Sequence, residues 1–291
     1  MFGLGRKAAV EPAKAAPVLD LSGPRLRRAL DHLVESAEPT GGVDRYVTAL
    51  WLKSSLFQEI LTDGKAAEMT ETEFLDLCAF VTPARRRISA LIQEVGFEDI
   101  RARFVRLLDG SADTSGADAR KDAFSDGFTL DRAHRWLPDL AAEVLHFTQP
   151  ERYPLMTRWI WDAKAGSGVL RELWFADDVS EARIDAPSSF ATYATLCQEL
   201  DGFLRGEGIY RDLPFFTDLL MAHVYAAYIN DRGGEFMRAE FATAADPMLH
   251  TRRMLGLDAV DTETGRTRLK LVDGTAHTLG ALGIEDLQET T

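Results

Sequence analysis

HRWLPDLAAEVLHFTQPERYPLMTRWIWDAKAGSGVLRELWF, residues 134–175, holds four of the chain's five tryptophans: Trp136, Trp159, Trp161 and Trp174. They stand beside His146, Phe147 and Tyr153, and side chains of this size dominate whichever core or pocket contains them. The stretch reads as a helix near 130–147 and a second helix opened by Pro154 that runs to about 164. A Gly166-Ser167-Gly168 turn then leads into Val169–Phe175. Helix against helix, packed around this indole-rich middle, is the organisation these residues predict.

Working toward the N-terminus, the same period recurs. Ser22-Gly23-Pro24 opens a helix near 24–37 carrying Leu26, Leu30, Leu33 and Val34. Val43 to Leu61 repeats the three-and-four spacing until Asp63-Gly64 stops it. Thr70 with Glu73 spells a capping box ahead of Phe74, Leu77 and Cys78. Thr82-Pro83 reads as the restart of a helix through Ile88, Leu91, Ile92 and Val95, closed by Gly96, and Phe97 to Leu108 adds a fifth. Residues 110–127 change to Gly, Ser, Ala and Asp and read as a linker or loop.

Toward the C-terminus, Ser188 or Ser189 opens a helix that Gly206 ends, a buried helix covers 213–230, and Asp246-Pro247 begins another that stops near Gly256. Only the tail changes period: Thr267–Val272 alternates, Asp273-Gly274 is a two-residue turn, and Thr275–Leu279 returns. The expected architecture is mainly α, a multi-helix two-lobed bundle with a small C-terminal β-hairpin. Its parts are a flexible leader (1–21), an N-terminal helical lobe (22–109), the linker (110–127), a C-terminal helical lobe (128–256), and the hairpin with an acidic tail (257–291).

The net charge of −13 is unevenly placed. Residues 1–108 carry 15 Lys/Arg and 15 Asp/Glu, whereas the rest carries 18 and 31. Such a field disfavours nucleic acid and anionic membranes as partners. The longest apolar run, Leu219 to Ile229, is too short to span a bilayer. Two distant cysteines, Cys78 and Cys197, suit free thiols in a reducing compartment, which with the absence of a signal-peptide core predicts a cytoplasmic protein.

No motif assigns a reaction. The glycine fingerprint of dinucleotide binding, the Walker loop, the Gly-x-Ser-x-Gly elbow and His-Glu-x-x-His are all missing, and no cofactor is implied. Glu143-x-x-His146 places a carboxylate and an imidazole one turn apart, half of a di-iron motif, with His134 and His223 as conceivable completions. No second Glu-x-x-His exists, so no metal site is assigned, and a hydrogen-bonded His146 on an amphipathic helix is the plainer reading. His146, Glu143 and Tyr153 are the candidates for acid–base work, because aromatic surroundings shift pKa values. Trp136, Arg158, Trp159 and Trp161 are the candidate ligand-binding residues, through ring contacts and guanidinium pairing, although Arg158 and Asp162 also have the spacing of an intrahelical ion pair.

Arg85, Arg86, Arg87, Arg101 and Arg103 form a candidate partner-binding face on the neutral first part. The first expectation is therefore a cytoplasmic accessory or interaction subunit that meets a protein partner, or its own copies, through helical surfaces. The alternative is an all-α enzyme or small-molecule-binding protein with its aromatic, His-containing pocket in residues 134–175.

Overall fold

A computed structural model of the chain describes residues 17–110, 113–176, 182–232 and 248–259. Among them the protein is mainly helical. Eleven α-helices follow in order: α1 (Gly23–Ala37), α2 (Val43–Leu61), α3 (Glu71–Ala79), α4 (Ile88–Val95), α5 (Phe97–Leu108), α6 (Ala117–Phe124), α7 (Leu137–Thr148), α8 (Val169–Leu173), α9 (Phe190–Gly206), α10 (Leu213–Arg232) and α11 (Leu249–Met254). Extended pairing among the described residues is limited to two isolated bridges, Leu21 with Trp174 and Asp162 with Ser167. No described helix is long and apolar enough to cross a membrane. The proposed hairpin at 267–279 lies outside the described residues.

Local signals place most of these helices. Pro24 stands in the first turn of α1, where a missing N–H costs nothing, and Leu26, Leu30 and Leu33 form its buried stripe. The capping box of α3 is complete: Glu73 N–H donates to Thr70 Oγ1 at 3.2 Å, and Thr70 N–H donates to the Glu73 carboxylate at 2.7 Å. Helices α4 and α5 are separated by Gly96 alone.

Helix α7 is the hub. Every one of its residues except Pro138 is buried, as befits a helix apolar on nearly all sides. It packs on α2, α5 and α6, while α10 packs on α1, α2, α8, α9 and α11. A single set of buried side chains runs from Leu26 in α1 to Leu257, through both halves of the chain.

Four stretches differ from the expectation. Residues 110–127 are not all loop: α6 forms at 117–124 and buries Ala117 and Phe124. Asp118 of α6 takes the Phe190 N–H on both carboxylate oxygens, at 2.8 and 3.0 Å, so α9 is capped from a distant helix and not by the Ser189 side chain. The end of the expected leader is docked: Leu19 is buried, Ser22 N–H donates to the Leu173 carbonyl at 2.8 Å, and Phe175 N–H donates to that of Asp20 at 2.8 Å. Pro83 does not start a helix; residues 82–87 form successive turns and α4 begins at Ile88.

Pro154 does not start one either. Residues 154–164 run as irregular chain and turns because their backbone groups are taken by tertiary partners. Arg158 N–H goes to Asp139 Oδ1 at 3.0 Å, and the carbonyls of Trp159 and Ile160 accept from Val169 and Leu170, each at 3.1 Å. That last contact needs Gly168, at φ 126°, since a Cβ there would sit 2.6 Å from the Ile160 oxygen.

Candidate ligand-binding cleft

Three ionisable residues, Asp139, Glu143 and His146, follow one another along α7 at four- and three-residue steps. Each is buried, and each meets a partner from a different part of the chain.

Deepest is Glu143, whose Oε2 accepts from Lys53 Nζ of α2 at 2.7 Å. Lys53 is itself 0% exposed; it donates a second bond to the Leu255 carbonyl at 2.9 Å and lies 3.8 Å from the centre of the Phe147 ring. Two acceptors and a π face engage the three N–H directions of an ammonium. Burial pulls the Lys53 pKa below its usual value against the raising effect of Glu143, and burial likewise pushes Glu143 up against the pull of Lys53.

One turn on, His146 faces an acceptor at each ring nitrogen: the Tyr153 carbonyl lies 2.6 Å from Nδ1, and Asp218 Oδ2 of α10 lies 2.7 Å from Nε2. A carbonyl on one side and a carboxylate on the other offer an acceptor to each nitrogen, a setting that favours the imidazolium paired with Asp218. Burial alone lowers its pKa, but the charge of Asp218 with these hydrogen bonds reverses the sign and leaves it raised. Glu143 and His146, the expected acid–base candidates, stand here in two buried ion-paired contacts that tie α7 to α2 and to α10.

Asp139 opens outward. Its Oδ2 accepts Arg158 Nε at 3.1 Å and Nη2 at 2.6 Å, and its Oδ1 accepts the Arg158 N–H. The ion pair of Arg158 is therefore with Asp139 and not with Asp162. Burial lowers the Arg158 pKa, and the hydrogen bonds and charge of Asp139 more than restore it, so the guanidinium stays charged.

Beside this pair lies a cleft of about 400 Å³, walled by the start of α7, residues of the 157–167 segment, Thr82, Pro83 and Arg87, Tyr225 of α10 and Met254 of α11. Trp136, Arg158 and Trp159 of the expected ligand-binding set line it; Trp161 does not. Trp161 is 1% exposed and donates its indole N–H to the Ala186 carbonyl at 2.8 Å, so it is core. Tyr153 also stands elsewhere, its hydroxyl 2.5 Å from Arg120 and its pKa raised by burial against that guanidinium. His146 and Asp218 line a separate cavity of about 270 Å³ on the α9 side. His134 pairs with Glu94 and His223 with His32 and Thr251, so the four groups of the conceivable metal site are not assembled. Among the described residues no group of three or more His, Cys, Asp or Glu is arranged to hold a metal ion.

The arginine face is also dispersed. Arg85 is buried, held by the Ala79 and Gly256 carbonyls and by Asp258. Arg101 pairs with Glu98, and Arg103 pairs with Asp99 while donating to the Phe124 and Asp126 carbonyls, each at 2.9 Å. Arg86 is exposed, and Arg87 lines the cleft.

Lys53, Asp139, Asp218 and Tyr225 were not singled out from the sequence. Lys53 had a signal: it occupies the helical stripe Tyr46, Leu50, Lys53 and Phe57, whose other members are all buried apolar or aromatic residues. Asp139 had one too, as the start of the polar stripe in an otherwise apolar helix. Comparison of the chain with protein families, with curated proteins and with solved structures finds no match.

Proposed function

We propose that the protein binds a small molecule in the cleft beside Asp139 and Arg158. The observation that carries this reading is the convergence of Arg87, Arg135, Arg158, Trp159 and Tyr225 from separate segments onto one concave space of about 400 Å³. That volume lies within the range of small-molecule sites, and the mixture of rings with a few fixed polar groups is their usual lining. Two free thiols, Cys78 and Cys197, suit a cytoplasmic setting. The test is a thermal-shift screen of metabolites on the intact chain and on Trp159→Leu. Ligands that raise the wild-type Tm and leave the variant's unchanged support the reading; a shift of equal size in both proteins argues against this cleft.

An accessory role through protein contact keeps support from a different place. Val18 and Phe175 are 92% and 61% exposed, and the bridge of Leu21 with Trp174 brings their segments side by side. Sedimentation of the wild type and of Phe175→Asp tests self-association at this patch. A monomer at all concentrations in both proteins would remove that contact.

A further inference from the structure

The charges around the cleft are unequally spent. Two of the three acids in its wall are paired with cations, Asp139 with Arg158 and Glu143 with Lys53, and Asp162 accepts the backbone N–H groups of Lys164 and Ala165 on Oδ1, each at 3.0 Å. Two cations in the wall have no carboxylate partner among the described residues. Arg135 is exposed and has no side-chain hydrogen bond or ion pair among the described residues, and Arg87 reaches only the Pro83 carbonyl, at 3.5 Å. Arg158 spends Nε and Nη2 on Asp139, which orients its guanidinium and leaves Nη1 over on a side chain 41% exposed. Thr157, 1% exposed on the same wall, carries a hydroxyl with no partner among the described residues.

The apolar side of the cleft is aromatic. Trp159 and Tyr225 are both half-buried, their ring centroids 5.9 Å apart and inclined at 44°. A flat ring laid against either gains dispersion and quadrupole contacts that a flexible chain does not.

We propose that the ligand of this cleft is an anion carrying a planar ring: a phosphate or carboxylate held by Arg87, Arg135 and the open edge of Arg158, with the ring against Trp159 and Tyr225. This rests on the cleft being a binding site, and it adds the chemical class. The chain's net charge of −13 does not oppose it. At physiological salt the Debye length is about 8 Å, so distant carboxylates are largely screened while guanidinium groups in contact with the anion are not. Guanidinium forks match phosphate and carboxylate oxygens two at a time, which gives the anion a fixed orientation relative to the ring.

Calorimetric titration of the full-length protein with two matched pairs tests the idea: adenosine against adenosine monophosphate, and 2-naphthylmethanol against 2-naphthoate. The charged member of at least one pair is expected to bind about tenfold more tightly than its neutral partner, with the preference shrinking at high salt. Arg135→Gln, a change at an exposed side chain, is expected to erase most of that preference by weakening the charged member. Preference confined to the phosphate pair or to the carboxylate pair identifies the source of the anion. Equal binding of charged and neutral members overturns the proposal while leaving the cleft as a binding site. Silence from all four compounds, with tryptophan emission unchanged, overturns the cleft reading as well.

Discussion

Lys53 Nζ lies 2.7 Å from Glu143 Oε2 across the contact between α2 and α7, with the two side chains 0% and 4% exposed. Removing both charges from water is expensive, and the attraction between them recovers that cost only while both are present. Lys53→Met is therefore expected to destabilise the fold by about 3–5 kcal/mol, because Glu143 is left buried without its partner. The double change Lys53→Met with Glu143→Leu is expected to recover most of the loss. Urea denaturation of the two singles and the double checks this; a double variant as weak as the sum of the singles would contradict it.

Two buried histidines give pH dependences of opposite sign. His146 has a raised pKa, since Asp218 and the Tyr153 carbonyl outweigh burial, so its contribution is complete below about pH 6.5 and fades as pH rises through the folded value. His223 is pushed down to about 4 by burial and by His32, whose Nδ1 lies 2.8 Å from its Nε2. Its contribution is complete above about pH 6.5 and is lost as pH falls toward 4, a span that corresponds to about 3 kcal/mol. Denaturation at acid and neutral pH is expected to show His223→Gln losing about 2 kcal/mol less on acidification than the wild type. An unchanged acid slope would sink the assignment.

The turn after α11 leaves no room for a side chain. Gly256 has φ 74°, and a Cβ on it would fall 1.8 Å from the Phe80 carbonyl oxygen. Gly256→Ala is expected to cost at least about 2 kcal/mol, combining left-handed strain with a backbone clash that no rotamer relieves. It would also shift the carbonyl that receives Arg85 Nη2 at 2.9 Å. A thermal melt of the variant decides the matter.

Asp139 anchors the irregular segment that floors the cleft. Asp139→Asn keeps the shape but removes the charge that holds Arg158, and the expected cost is about 1–2 kcal/mol, moderated by the exposure of the guanidinium. Hydrogen exchange should then quicken at the Arg158 amide, which donates to Asp139 Oδ1, while the α3 amides keep their protection. Equal acceleration at both places would mean general loosening rather than loss of an anchor.

Much of the helical framework was legible in the residues because its causes are local. The three-and-four spacing of Leu26, Leu30 and Leu33, the Thr70–Glu73 box and the stop at Gly96 act within one or two turns of chain. The same local reading failed at Pro83 and Pro154, each a good first-turn residue. Arg85 turns inward to Gly256 and Asp258, and the chain after Pro154 gives its hydrogen bonds to Asp139, Val169 and Leu170. Trp136, Arg158 and Trp159, grouped in the sequence by type and proximity, line the cleft, Trp136 while only 1% exposed; Trp161, two positions from Trp159, does not line it.

Composition and periodicity alone determined a helical, acidic chain whose tryptophans crowd its middle. What they could not decide was partnership. Lys53 and Glu143 are 90 positions apart, His146 and Asp218 are 72, and no short-range propensity distinguishes a buried, paired charge from a solvated one. Only the packing of α2 and α10 around α7 brought those charges together, because each partner comes from a helix distant in sequence.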